Sequence, residues 1–475
     1  MSKRNEIPAL VVSLLVTLAL LASGLYLMRS RLPLDAVAGL FRPGTPVRPV
    51  SRQVLAGRLS RGELSLLPGS VTPTIEQGLD AFAAGDYATA VKQFEAALQN
   101  QRNNPETLIY LNNARIGQAP SYTLAVAVPI GTEPKPAQEI LRGVAQAQQE
   151  INQAGGVNGV PLEVVIVSDD DDPNVAAGLA GLLVDDPDIL AVIGHFGSST
   201  TLAAAPIYQA GELVMISPTS TAVSLSNAGR YIYRTVPSDR LAASALARYM
   251  LTDLDSQRAA VFFTSESDYS RSIKNEFTTA LLSDGGDMVA ELDLSSDNFD
   301  AGQLVRQALQ QDAEVLVLAA NTATLDEALQ VIAVNRQQLP MLGGDSLYNP
   351  KILEVGGNRA LGLVVAVPWH ILDRPQAPFV PSSRQLWGGD VSWRTAMTYD
   401  ATQALVAALQ SNPTREGIQT SLQAAGFNPA GATQPVRFFA SGDRNQPSQL
   451  VKVVEGSRSG YGYDFVPVDL IPATN

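Results

Sequence analysis

An α/β fold in two lobes, with a crevice between them, is what this sequence predicts, and three observations carry the prediction. From Tyr122 onward, short apolar runs alternate with helical stretches of ten or more residues, the pattern of a parallel sheet wrapped by helices. The alternation restarts after Pro237, which gives two units of similar size, each with its own sheet. The chain has 475 residues, more than one core comfortably buries, and its 45% hydrophobic and 17% charged residues have the balance of a folded protein.

The elements follow in order. Lys3 and Arg4 precede a charge-free stretch from Ala9 to Met28, "ALVVSLLVTLALLASGLYLM". At 1.5 Å per residue this stretch covers about 30 Å, the thickness of a bilayer core. It predicts a transmembrane signal-anchor over 1–31. A cleaved leader has a shorter apolar run, and although "LLASG" offers small residues for cleavage, Leu25 to Met28 continue past it. Lys3 and Arg4 argue for an inside N-terminus, and Arg29 and Arg31 on the other flank blunt that rule. The chain is therefore expected at a cell membrane, its soluble part facing the periplasm or another extracytoplasmic space.

Residues 32–72 are rich in Pro, Gly, Arg and Ser and read as a linker. Over 73–119, apolar residues recur at helical spacing, broken at Gly85-Asp86 and at Asn103 to Pro105. Gly78, Ala81, Gly85, Tyr87, Ala90, Phe94 and Ala97 fall where a tetratricopeptide repeat places its small and aromatic packing residues, so the segment resembles one and a half such repeats. Several repeats are needed to stand alone, so this one packs on a neighbour or binds a protein partner; a plain helical hairpin is the other reading.

The main domain is expected over 121–470. Its first lobe takes 121–237 and 371–441, its second 240–366 and 447–470. Strands "YTLAVAVPI", "PLEVVIVS", "ILAVIG" and "LVMIS" belong to the first lobe; "RAAVFFTS", "MVAELDL", "EVLVLAAN" and "PMLGGD" belong to the second. In open sheets of this kind, ligands sit outside the carboxyl ends of the strands.

Composition excludes several chemistries. With no cysteine, thiolate catalysis, disulfides and iron–sulfur ligation are out, and with only His195 and His370 a zinc site of the common kinds is not expected. A net charge of −13 without a basic cluster argues against nucleic acid. "GHFGSSTT" lacks the G-x-S-x-G nucleophile elbow, so His195 reads as a turn residue rather than a base for Ser198. Gly344 to Leu347 spell an esterase-like tetrapeptide, but in mid-chain and with no Asp three residues before His370. The acidic run Asp169 to Asp172 lacks the alternating spacing that wraps calcium and reads as a solvated loop with a helix cap. Gly155, Gly156 and Gly159 follow a helix and precede a strand, the reverse of a dinucleotide fingerprint. No enzyme and no cofactor are expected.

Anion binding remains. Ser198 to Thr201 open a helix directly after strand "ILAVIG", where first-turn N–H groups are unpaired and the helix dipole is positive. Ser217 to Thr221, "SPTST", end the next strand alongside. Either these groups seat a carboxylate or the hydroxyls simply cap helices.

The run "VIGHFGSSTTLAAAPIYQAGELVMISPTSTAVSLSNAGRYIYRTVPSD", with "INQAGGVNGVPLEVVIVSDDD", "SDYSRS", "TYDATQALVAAL" and "VRFFASGDRNQ", resembles the leucine/isoleucine/valine-binding family, the type I periplasmic solute-binding proteins of branched-chain amino acid ABC transporters. The likeness covers Tyr122 to about Asp469. It implies a two-lobed type I periplasmic binding fold that closes over an amino acid and presents it to ABC permease subunits. It also implies the site. Ser198 and Thr221 would hold the ligand's α-carboxylate, the Thr219 carbonyl would accept from its ammonium, Tyr269 would close over it, and Asp345 would pair the ammonium. Asp345 stands where the family has a glutamate, one methylene longer. The family's aromatic cover is missing from the loop "PIGTEPKPAQEILRG", and Asn321 stands at a second-lobe aromatic position, which implies a more polar or larger side chain than a branched aliphatic one. Trp369 either restores some cover or packs in the core. Two rival roles use such a fold without transport: a ligand-sensing receptor, and a protein-binding regulator like the activators of peptidoglycan synthases.

Overall fold

The computed structural model describes residues 50–69 and 71–471. The expected anchor and the first part of the expected linker lie outside those residues. Among the described residues no helix is long and apolar enough to cross a membrane.

Two sheets organise the chain. The first contains β1 (Leu59–Ser60), β2 (Tyr122–Val128), β3 (Leu162–Ser168), β4 (Ile189–Ile193), β5 (Val214–Ser217) and β6 (Ile232–Arg234), in the order β1-β3-β2-β4-β5-β6. The second contains β7 (Arg258–Phe263), β8 (Asp287–Asp293), β9 (Val315–Ala319), β10 (Met341–Gly343), β11 (Val364–Val367), β12 (Gln449–Glu455) and β13 (Tyr463–Pro467), in the order β13-β12-β11-β10-β9-β7-β8. Pairing is parallel except at β1, β12 and β13. Helices cover both faces, so alternate residues of one strand serve two cores: Leu124 and Val126 of β2 join one, Ala125 and Ala127 the other. That is why these strands read as unbroken apolar runs.

The helices are α1 (Arg52–Ala56), α2 (Pro73–Ala83), α3 (Tyr87–Asn100), α4 (Pro105–Ile116), α5 (Pro134–Gln153), α6 (Pro173–Asp185), α7 (Ser198–Ala210), α8 (Asp239–Thr252), α9 (Asp268–Ser283), α10 (Ala301–Gln310), α11 (Leu325–Asn335), α12 (Phe379–Trp387), α13 (Trp393–Ser411) and α14 (Arg415–Leu422). Returning α13 packs along α5, where Gly143 abuts the Thr395 carbonyl and leaves no room for a side chain.

The linker expectation departs from the structure over its described part. Ser51 caps α1, Leu55 buries its side chain over Gly178 of α6, and β1 pairs antiparallel with β3, Leu59 opposite Val167. Leu55, Leu59 and Leu67 are apolar anchors that a Pro/Gly count overlooks. Helices α2 and α3 pack with Phe94 against Gly78, and α4 is buried from Pro105 to Ala114. The Asn113 side chain completes the edge of β3: its Nδ2 donates to the carbonyls of Arg61 (2.6 Å) and Val164 (2.8 Å), and its Oδ1 accepts from Val164 N (3.2 Å) and Gln148 Nε2 (2.8 Å). The helical segment therefore packs on the first lobe.

Three crossings join the lobes, after β6, after β11 and before β12. The last two are tied together, Gln446 Nε2 donating to the Pro368 carbonyl (2.9 Å). The lobes also touch directly: Asp268 N–H donates to Ser199 Oγ (3.2 Å) and Val223 N–H to Ser272 Oγ (2.9 Å).

Candidate functional site

In each sheet the strand order reverses once, between β2 and β4 in the first and between β7 and β9 in the second. Such reversals leave a crevice at the carboxyl ends of the flanking strands. Here the two crevices share one cavity of about 460 Å³. Thr132 and Glu133 reach it from the loop after β2, Phe196 to Thr200 from after β4, Thr264, Glu266, Ser267 and Tyr269 from after β7, and Asn321 to Thr324 from after β9.

Of the residues expected in the site, Ser198, Thr219, Tyr269, Asn321 and Asp345 line this cavity. Ser198 opens α7, and its Oγ accepts from Ala222 N–H (3.3 Å), which leaves its own proton free to donate. Thr219 donates its hydroxyl to the Phe196 carbonyl (2.8 Å). Asn321 uses its side-chain oxygen to accept from Thr324 N–H (3.1 Å) and the Thr324 hydroxyl (2.9 Å). Tyr269 stands in the first turn of α9, and the missing side chain of Gly344 lets its hydroxyl reach the Asp345 loop. Burial pushes the Tyr269 hydroxyl well above its usual range, and the charge of Asp345 adds to this. Asp345 is itself buried, and burial lifts its carboxyl to about 6 against the pull of Arg394 and the Tyr269 hydroxyl.

Thr221 is not among the lining residues. Its hydroxyl is buried without a hydrogen bond, close enough to Asp239 at the start of α8 to favour that carboxylate's charged form. Burial nonetheless pushes the Asp239 carboxyl up to about 7. Trp369 packs in the core, edge-on to Phe379, with its indole N–H on Thr433 Oγ1 (3.1 Å). His195 is fully buried, Nδ1 2.5 Å from the Asp169 carboxylate and Nε2 3.1 Å from the Tyr208 hydroxyl. It pins β4 to the β3 loop and stands away from Ser198's chemistry. His370 lies beside Tyr348 in a separate cavity of about 220 Å³, and burial lowers it to about 4.

The acidic run is less solvated than its composition suggests. Only Asp172 caps a helix, accepting from Asn174 and Val175 N–H. Asp170 pairs with Arg58 (2.5 Å). Asp171 turns onto the start of α7, where it accepts from Gly197 N–H (3.1 Å) and Thr200 Oγ1 (2.5 Å), and burial pushes it up to about 6. A carboxylate of the protein thus occupies part of the anion seat.

Sequence reasoning missed Glu133, Asp171, Trp393 and Arg394, all of which line the cavity. Ser392 caps α13 and is followed at once by Trp393 and Arg394, a helix-start signal that places both at the cleft end of that helix. Arg394 bonds Glu139 (3.2 Å) and stacks on the Trp393 ring, its Cζ 4.5 Å from the centroid.

Two α/β lobes, crossed three times and enclosing a polar cavity at facing strand ends, define a two-lobed ligand-binding protein. The periplasmic binding protein family model matches residues 131–460, and the chain belongs to that family, the type I solute-binding fold. It is 26% identical to the Leu/Ile/Val-binding protein of Escherichia coli over 275 residues, 57% of this chain and 74% of that protein. A leucine binding protein of Thermotoga maritima superposes with a TM-score of 0.63 at 23% identity, covering 72% of this chain and 97% of that one. An ABC transporter substrate-binding protein of Desulfitobacterium hafniense, solved in complex with Leu, does so with a TM-score of 0.62 at 24% identity, covering 73% and 100%.

Proposed function

We propose that this chain is an extracytoplasmic solute-binding protein that captures an amino acid zwitterion between its lobes and presents it to an ABC permease. One observation carries the reading: donors from the first lobe and a buried carboxylate from the second face the same cavity. The Ser198 hydroxyl and the first-turn N–H groups of α7 suit an α-carboxylate. Asp345, the Tyr269 hydroxyl and the Thr219 carbonyl suit an α-ammonium. That carbonyl takes no hydrogen bond among the described residues.

A buried zwitterion needs both kinds of partner. Only the closed arrangement supplies them together, so ligand favours closure by its differential affinity. The apolar stretch over 9–28 would hold the domain at the membrane beside its permease. A thermal-shift screen against the common L-amino acids tests the reading. Stabilisation by at least one is expected, about 2.7 kcal/mol at a hundredfold excess over Kd. Silence across the whole set removes the zwitterion site and leaves the protein-binding role.

A further inference from the structure

Two donors on the first-lobe wall of the cavity have nothing to donate to. The Trp393 indole N–H and Arg394 Nε are without a hydrogen-bond partner, and their side chains, at 2% and 4% exposure, line the cavity at the start of α13. The bond from Arg394 Nη1 to Glu139 (3.2 Å) leaves Nε unanswered. A buried N–H without an acceptor carries its whole desolvation cost until something in the site accepts from it.

The second lobe adds another donor. Asn321 lines the same cavity, and its Oδ1 accepts from Thr324 N–H (3.1 Å) and from the Thr324 hydroxyl (2.9 Å). A backbone N–H can only donate, which fixes Oδ1 towards Thr324 and leaves the Asn321 Nδ2 hydrogens without a partner among the described residues. Donors on both lobes therefore want an acceptor. The α-carboxylate at Ser198 and the α-ammonium at Asp345 use none of them.

Charge narrows the kind of acceptor. Arg394 is the one cation among the lining residues, and Glu133, Asp171 and Glu266 line the cavity beside Asp345. Arg394 is paired with Glu139, and its charge also favours the ionised forms of Glu133 and Asp345. A ligand side chain with its own carboxylate would add to the surplus of negative charge. An aliphatic one would leave the N–H groups unanswered, and an ammonium would bring more donors to a wall that lacks acceptors. A neutral carbonyl answers the donors and adds no charge.

We propose that the ligand is an amino acid whose side chain ends in a carboxamide, its carbonyl oxygen accepting from the N–H donors of Trp393, Arg394 and Asn321. This rests on the reading of Ser198 and Asp345 as the seats of the α-carboxylate and the α-ammonium. A carboxamide oxygen has two lone pairs for those donors, and its nitrogen brings two N–H groups of its own. The Glu133 carboxylate, which accepts no hydrogen bond among the described residues, is open to them.

Calorimetry with L-glutamine, L-asparagine, L-leucine, L-lysine and L-glutamate tests the proposal on the full chain, on Asn321→Asp and on Trp393→Phe. Asn321→Asp keeps both acceptor bonds to Thr324 and turns the free donor into an acceptor. Trp393→Phe keeps an aromatic ring beside Arg394 and removes the N–H. Glutamine or asparagine is expected to bind about tenfold or more tightly than the other three, and each variant to shrink that ratio severalfold. Leucine, lysine or glutamate binding as tightly as the two amides overturns the proposal while leaving the amino-acid reading in place. An amide preference indifferent to both variants overturns the assignment of the donors. If none of the five binds, the thermal-shift screen separates the two readings: a hit with another amino acid overturns this proposal alone, and silence removes the amino-acid reading with it.

Discussion

Asp345 shows how far one residue's chemistry depends on burial. In the sequence it sits inside a tetrapeptide that mimics an esterase, and only its place after β10 gives it a role as an acid in the cleft. Its carboxyl, held at about 6, is charged and free to pair an ammonium at pH 7.5 and largely protonated at pH 5. Ligand affinity is therefore expected to fall between those two values. The stability of the ligand-free protein runs the other way. A carboxyl whose folded pKa lies above its ordinary value binds protons more tightly folded than unfolded, so its contribution is full at low pH and is lost as pH rises through about 6. Asp345→Ala should weaken amino acid binding by roughly 2–5 kcal/mol, because it strands a buried ammonium, and should also flatten the fall in melting temperature between pH 5 and 7.5. Titration calorimetry and melting curves at the two pH values check both; unchanged affinity would remove Asp345 from the site. Ser198 and Tyr269 were legible through the resemblance. Asp171 was not, because its partners Gly197 and Thr200 lie 26 and 29 residues away and only the fold brings them together.

At the scale of elements, long regular pieces were readable and short ones were not. The alternation of apolar runs and helices located the strands, since doubly buried strands leave no polar alternation to confuse them. α1 and β1 have five and two residues, too few for any period to show, so a Pro/Gly-rich count hid them. The helical segment over 73–119 has an interior that makes a sharp prediction. A glycine in a helix ordinarily gains stability on change to alanine, but a methyl group at Gly78 would meet Phe94 Cε1 at 2.5 Å. Gly78→Ala should therefore destabilise by about 1–3 kcal/mol. Urea unfolding checks it, and a stabilised variant would mean that α2 and α3 pack differently. Beneath them Glu106 is buried, accepting from Leu66 N–H (2.6 Å), Leu67 N–H (3.1 Å) and Ser65 Oγ (2.7 Å), which stitches the N-terminal segment onto α4.

For the whole molecule, the account stands on a ligand that bridges two lobes, with Ser198 and the start of α7 on one side and Tyr269 and Asp345 on the other. The three crossings and the direct contacts Asp268–Ser199 and Val223–Ser272 describe lobes held together around the cavity. In solution without ligand, the lining carboxylates Glu133, Asp171, Glu266 and Asp345 outnumber the lining cation Arg394, so their residual repulsion favours opening. The chain has no cysteine, which makes site-specific labelling clean. Lys135 and Asp297 are exposed, one in each lobe, close to the lining residues Glu133 and Ser295. The most direct measurement is energy transfer between dyes on Lys135→Cys and Asp297→Cys, with and without a saturating mixture of the common L-amino acids. The account predicts that transfer rises with the mixture and that Asp345→Ala abolishes the rise. Transfer that stays the same, in a protein shown by calorimetry to bind one of those amino acids, would contradict it.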